Sequence, residues 1–334
     1  MISKPIKSAS IIIIFTTVLS CNSNNGKTEN QNSENNDTTE ITNEKPVVYI
    51  TKNITPEGLM AVYNALEREL PGKVAIKVST GEPGGKNFLS PDLIKNLVQS
   101  VDGTIVECNT AYGGKRSKTE DHLKTAKDHG FTAIAPVDIM DANGEIELLF
   151  EKGKHIKKTI VGANYKNYDS YIILSHFKGH AMAGFGGALK NMAIGIASAN
   201  GKVWVHTAGA SDDLKDFELC FQTPQNDFLE AMADASGAIL TDLGDRVLHI
   251  NVMNNLSVDC DCDSNPADPT MADVGILASL DPVALDQACV DLVYAVHDGH
   301  DLVKRMEEKN GIQIIIHAAE LGLGNREYKL VSVD

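Results

Sequence analysis

Between Ser175 and His206 the chain reads SHFKGHAMAGFGGALKNMAIGIASANGKVWVH, a stretch that brings imidazoles, amines and closely spaced glycines together. His176 and His180 are four residues apart and would share a face on a helix, but Gly179 and Gly184 favour a loop at a strand end instead. Gly184, Gly186 and Gly187 permit positive φ and let backbone approach a ligand closely. The following A-L-K-N-M-A-I suits a helix whose first amides would point at a bound anion or cofactor. Lys190 lies about one turn inside that helix, where it can hold a phosphate or carboxylate, or act as a nucleophile if burial lowers its pKa. These types make His176, His180, Lys190 and His206 candidates for one metal- or cofactor-dependent site, with Gly184, Gly186, Gly187, Lys178 and Lys190 around a cofactor. His176 and His180 are candidate metal ligands.

A second cluster is DCDCD, Asp259 to Asp263. Residues two apart in an extended chain point to the same side, so Cys260 and Cys262 would present two thiols together. Two thiolates fill half of a tetrahedral shell for zinc or another soft metal. The alternative is a disulfide from Cys260 or Cys262 to Cys220 or Cys108. A bridge between Cys260 and Cys262 needs a bent backbone, because extended Cα atoms two apart sit at about 6.5 Å.

The elements that must position these residues alternate between strand and helix. Val47 to Ile50, Lys73 to Val78, Thr104 to Glu107, Tyr171 to Leu174, Val247 to Val252 and Gly275 to Ala278 read as strands. Thr55-Pro56, Ser90-Pro91 and Asp281-Pro282 each open a helix with a capping side chain and a proline at the first position. The helix from Glu120 to His129 stops at Gly130. The pattern is α/β, a mainly parallel doubly wound sheet in one large domain or two coupled lobes, with ligands expected at the carboxyl ends of its strands. GEPGGKN (81–87) and AYGGKRS (111–117) both miss the G-x-x-x-x-G-K-[ST] spacing and read as turns.

A formal net charge of -15 with no cluster of Lys and Arg argues against nucleic acid as a partner. At the N-terminus, Lys4 and Lys7 precede an apolar run, Ile11 to Leu19, that ends in V-L-S-C. This is the pattern of a bacterial lipoprotein signal (1–20), with Cys21 as the acylated residue. The run is too short to span a membrane. Residues 21–45 carry one apolar residue after Cys21, Ile41, and read as a disordered tether. The α/β domain then occupies 46–334, outside the cytoplasm at the cell envelope and joined to the membrane through lipid.

The blocks AIKVSTGEPGGKNFLSP, NTAYGGKRSKTEDHLKTAKDHGF, SHFKGHAMAGFGGALKNMAIGIASANGK, DCDC and DVGILASLDPVALDQA resemble, in order, the domain-of-unknown-function family 362. The resemblance runs from Val47 to the C-terminus, and it implies no settled activity. Many members are described as iron-sulfur-centre proteins, often with a ferredoxin-like insert after the position of His206 and a histidine at that of Ser79. Thr207 to Cys220 has no such run, so a ferredoxin-type cluster is not expected here. A local similarity to the lactate racemase family places His180, Lys190 and His206 on a histidine, a cofactor-holding lysine and a second histidine. That family binds a nickel-pincer nucleotide, and its paired histidines imply acid–base chemistry at a substrate carbon. The expectation is a lipid-anchored protein with a metal- or cofactor-dependent site for redox or isomerase chemistry on a small acid. The alternative is a non-catalytic envelope protein that captures a metal or an anion.

Overall fold

A computed structural model describes residues Glu44 to Asp334. The expected signal, Cys21 as the expected acylation site and nearly all of the expected tether lie outside the described residues. In chain order the elements are β1 (Val47–Thr51), α1 (Pro56–Ala65), β2 (Val74–Lys77), α2 (Pro91–Ser100), β3 (Thr104–Glu107), α3 (Thr119–Asp128) and β4 (Val137–Ile139). There follow β5 (Glu145–Leu149), β6 (Lys158–Gly162), β7 (Ser170–His176), β8 (Lys178–His180), β9 (Gly184–Gly186), α4 (Ala188–Gly195), α5 (Ala199–His206) and α6 (Gln225–Leu243). The chain closes with β10 (Val247–Met253), β11 (Gly275–Ser279), α7 (Pro282–Ala295), α8 (His300–Glu308), α9 (Gln313–Glu320) and β12 (Lys329–Ser332).

Eight strands form one sheet in the order β12-β1-β11-β10-β7-β2-β3-β4. Every pairing is parallel except those of β11, which runs antiparallel to both β1 and β10. The period of two sorts the strands onto two cores. Tyr171 and Ile173 of β7 join the side packed with α4, α6 and α7, whereas Ile172 and Leu174 join the side packed with α1 and α2. Both faces of β7 and β10 are buried along nearly their whole length; β7 accordingly carries the apolar run YIIL, whereas β10 buries His249 and Asn251 among its apolar residues. The mainly parallel α/β class expected from the sequence is the one observed.

The helix starts follow the capping chemistry. Thr55 Oγ1 accepts from Gly58 N at 3.2 Å, Ser90 Oγ from Asp92 N at 3.3 Å, and Asp281 Oδ1 from Ala284 N at 2.9 Å. Gly130 takes φ +89 behind α3. Helix α4 is capped differently. The carboxylate of Asp286, from α7, accepts from Ala188 N at 2.8 Å and Leu189 N at 3.0 Å. Asn251 of β10 donates to the same carboxylate at 2.7 Å. Gly187 is required here, since a Cβ would lie 2.3 Å from Asp286 Oδ1. The amides expected to meet a bound anion therefore meet one supplied by the chain itself. Burial pushes the Asp286 carboxyl up to about 6, against the pull of hydrogen bonds from Leu189, Asn251 and Ala188.

Asp286→Ala leaves two amides and the Asn251 side chain without their acceptor, and should cost about 3 kcal/mol of unfolding free energy. Asp286→Asn keeps one acceptor and should cost about half as much on the same physical ground. Urea denaturation followed by circular dichroism measures both; equal stability for wild type and Asp286→Ala would contradict the cap.

Candidate functional site

Four parallel strands, β2, β3, β7 and β10, end at the same edge of the sheet, and their outgoing loops surround a cavity of about 400 Å³. Lys77 and Glu107 are the last residues of β2 and β3. Helix α4 contributes Lys190, helix α5 contributes Lys202 and His206, the β8–β9 hairpin contributes His180, and the loop after β10 contributes Cys260 and Cys262. A smaller cavity of about 100 Å³, lined by Ser175, Lys178, Gly186 and Gly187, adjoins it and shares Lys190, Cys260 and Cys262.

The floor is a charge network. Lys77 Nζ lies 3.0 Å from Glu107 Oε2, and Glu107 Oε1 accepts from Thr80 N at 2.7 Å. Arg116 reaches Glu82 Oε1 at 2.6 Å and Glu107 Oε1 at 3.4 Å. Burial alone would raise the Glu107 carboxyl, but Lys77, His122 and Arg116 hold it well below the usual carboxylate range. Gly195 makes the floor possible, because a Cβ there would stand 2.4 Å from Lys77 Cε.

Two further ammonium groups have no carboxylate of their own. Lys202 Nζ donates to Ala197 O at 2.6 Å, and Lys190 makes no hydrogen bond or ion pair among the described residues. Burial, then the neighbouring Lys77 and Lys202, bring Lys190 down to about 8. The surplus positive charge fits an anionic ligand.

The two cavity histidines are set in opposite tautomers. The backbone N–H groups of Met182 and Ala183 donate to His180 Nδ1 at 3.2 and 3.0 Å, so the neutral ring carries its proton on Nε2. His206 Nδ1 donates to Lys202 O at 2.6 Å, the i−4 carbonyl of its own helix, so its Nε2 keeps the lone pair. Burial and then Lys190 hold His180 well below the usual histidine range. Burial brings His206 down to about 4, although its bond to the Lys202 carbonyl works the other way. Both rings are neutral near pH 7, one a donor and the other a base. His206 also stacks on Phe228 at 4.8 Å between centroids, which fixes its plane.

Of the sequence-predicted residues, His180, Lys190, His206, Cys260 and Cys262 converge on this cavity, and Gly186 and Gly187 line its neighbour. Three expectations are corrected. His176 is unsuited to a metal, since Nδ1 faces Asp261 Oδ2 at 2.9 Å and Nε2 faces Asn254 O at 2.7 Å, which leaves no lone pair free. Lys178 is tied to Asn87 O at 2.7 Å and Asp261 Oδ1 at 2.9 Å, bracing the DCDCD loop. Gly184, at φ +81, lies against Gly311 and Met306, so its role is packing of the hairpin onto α8.

Cys260 and Cys262 are bonded to each other, with Cα atoms 5.2 Å apart, while Cys108, Cys220 and Cys289 are free and buried. The backbone bend that the bridge requires is a turn in which Asp263 N donates to Cys260 O at 3.0 Å. Donor atoms of His180, Cys260 and Cys262 lie within 4.8 Å of one another. As the chain stands they do not fit a metal: the sulfurs have spent their thiolates on one another, and the proton on His180 Nε2 occupies the position a metal would need.

The family model for the domain of unknown function DUF362 matches residues 74–291, which take in every wall of this cavity. The chain belongs to the DUF362 family. Among solved structures, the DUF362 chain is similar to the lactate racemase apoprotein from Thermoanaerobacterium thermosaccharolyticum, at 14% identity and a TM-score of 0.42, over 75% of this chain and 57% of that one. It is also similar to a structural-genomics protein from Thermotoga maritima, at 10% identity and a TM-score of 0.40, over 79% of this chain and 58% of that one. In both cases it spans less than two thirds of the other chain's length. No curated protein matches it.

Lys77, Glu107, Arg116, Lys202 and Asp261 were not singled out by sequence reasoning. A signal existed for two of them: VAIK and TIVE are buried strands that each end in a charge. If Lys202 contributes to the lowered Lys190 pKa, Lys202→Met should raise it. The pH dependence of Lys190 acylation, followed by peptide mass spectrometry, should then shift to higher pH, and an unchanged profile would remove the electrostatic link.

Proposed function

We propose that this is a lipid-anchored envelope enzyme that isomerises a small carboxylic acid by moving a proton at the carbon beside a carbonyl. The observation that carries the reading is the pair of complementary neutral imidazoles, His206 as base and His180 as donor, in one cavity with two unpaired ammonium groups. The cavity volume is in the range of small-molecule sites. Lys190 and Lys202 hold the carboxylate; His206 Nε2 takes the proton from carbon; His180 Nε2–H stabilises the oxygen on which charge develops. A neutral imidazole serves as a hydrogen-bond donor to such an oxyanion because its acidity is closer to that of the enol than a cation's would be. Export and acylation at Cys21 rest on the sequence, as does the envelope location.

The rival reading is a non-catalytic anion-binding lipoprotein, favoured by the same lysines. Exchange of the α-hydrogens of small 2-oxo and 2-hydroxy acids in D₂O, followed by proton NMR, discriminates the two. His206→Asn should slow exchange by about 10²-fold or more while leaving acid binding in place. Binding with no exchange in the wild type would leave the binder.

The pH dependence follows from the same groups. His206 is an active base when deprotonated, so kcat/KM should fall as pH drops through about 4. Lys190 holds the acid when protonated, so it should fall again as pH rises through about 8. A bound carboxylate opposes the lysines and raises the imidazoles, so the acid limb of kcat should lie at higher pH than that of kcat/KM. A rate independent of pH between 3 and 10, roughly the span that brackets both groups, would contradict these roles.

A further inference from the structure

The bonded pair Cys260–Cys262 sits in the wall common to both cavities, half-buried; of the free cysteines among the described residues, Cys108 lines the larger cavity with its thiol donating to Ile196 O at 3.2 Å, and Cys220 and Cys289 are buried away from both cavities. A structural cross-link between residues two apart closes almost no loop and adds little stability. Its neighbours suit exchange instead. The Cys262 amide donates to Cys260 Sγ at 3.2 Å, and a ring nitrogen of His180 lies within 4.8 Å of both sulfurs. With Nδ1 accepting from two backbone amides, the neutral ring carries its proton on Nε2. Two of the three aspartates in DCDCD are neutralised, Asp259 by Arg305 at 3.3 Å and Asp261 by Lys178 at 2.9 Å. The ammonium of Lys190, on the same wall, remains uncompensated. A thiolate formed at Cys260 would thus accept from an amide N–H, with the His180 imidazole and the Lys190 ammonium nearby, which are the features that stabilise thiolates.

We infer that Cys260–Cys262 is a redox-active disulfide that exchanges with small thiols entering the cavity. The attacking thiolate forms a bond to Cys262 Sγ, the bond between the two cysteine sulfurs breaks, and its electron pair leaves on Cys260 Sγ. Amide and imidazole donors hold that thiolate until it takes a proton from water. A second external thiolate then attacks the sulfur of the first, the bond from that sulfur to Cys262 Sγ breaks with its electron pair leaving on Cys262 Sγ, and Cys262 takes a proton from water, so that a small-molecule disulfide is released and the protein is left as a dithiol. Two thiols of the reductant are oxidised and one protein disulfide is reduced, so electrons balance. The inference does not depend on the isomerase reading, since it needs no carbon acid.

The test uses the purified full chain, kept folded, treated with glutathione and quenched with iodoacetamide, with fragment-ion mass spectrometry to locate the labels. Glutathione on Cys262 and the alkyl group on Cys260, with an unchanged circular dichroism spectrum, is the expected result. The reverse pattern, or no adduct until the chain is unfolded in urea, overturns the inference. Cys260→Ser should leave Cys262 as an accessible thiol alkylated in the folded protein, and its protection there would count equally against it. His180→Gln, checked for intact disulfide and native spectrum, should slow adduct formation by about tenfold, the worth of one hydrogen bond to a charged sulfur; an unchanged rate would exclude the imidazole from the step.

Discussion

The carboxylate of Asp286 is the point on which the site's geometry hangs. It ties the start of α4 to β10 through Asn251 and to α7 through its own backbone. Helix α4 then lies across the carboxyl edge of the sheet at a fixed height, and Lys190, Asn191 and Gly195 acquire their places from that. Asn191 reinforces the placement, with its side-chain amide donating to Lys77 O at 3.2 Å and Leu174 O at 3.1 Å, the ends of two parallel strands. A helix N-terminus normally attracts whatever anion is available. Here the attraction is satisfied within the chain, which leaves Lys190 and Lys202 to recognise any anion that comes from outside.

Charge is apportioned with comparable economy. Lys77 and Arg116 are matched by Glu107 and Glu82, and the same pattern recurs where Asp261 meets Lys178 and His176. Breaking either set would leave a buried charge without its partner, a loss of several kcal/mol. The two amines described above as lacking a carboxylate, Lys190 and Lys202, both line the cavity. The neutral histidines follow from this arrangement, because a ring that is both buried and beside cations gives up its proton readily.

Much of this was legible in the sequence. The S-H-F-K-G-H and G-F-G-G-A-L-K-N blocks pointed to the right edge of the sheet, and the Thr-Pro, Ser-Pro and Asp-Pro pairs marked three helix starts. What each polar group would do was not legible, because that depends on partners distant in the chain. His176 and Asp261 are 85 residues apart, and nothing local distinguishes a histidine held at both nitrogens from one with a free lone pair. Helix α6 went unread for a related reason. Helix α6 is buried nearly all round, so it lacks the polar face that marks a periodic segment. The hairpin β8–β9 is two three-residue strands, too short to show alternation.

The absence of a side chain at Gly195 carries a consequence for the charge of the cavity floor. The space that a methyl group would fill there is taken by the stem of Lys77, so position 195 sets, by volume alone, whether the cavity floor can hold an amine. A glycine-to-alanine change would enter as a steric event and emerge as an electrostatic one. It would displace the ammonium from Glu107 and alter every proton affinity that the ammonium influences, Lys190 among them. Positions 77 and 195 therefore share one volume, and what fills it decides where the ammonium can stand.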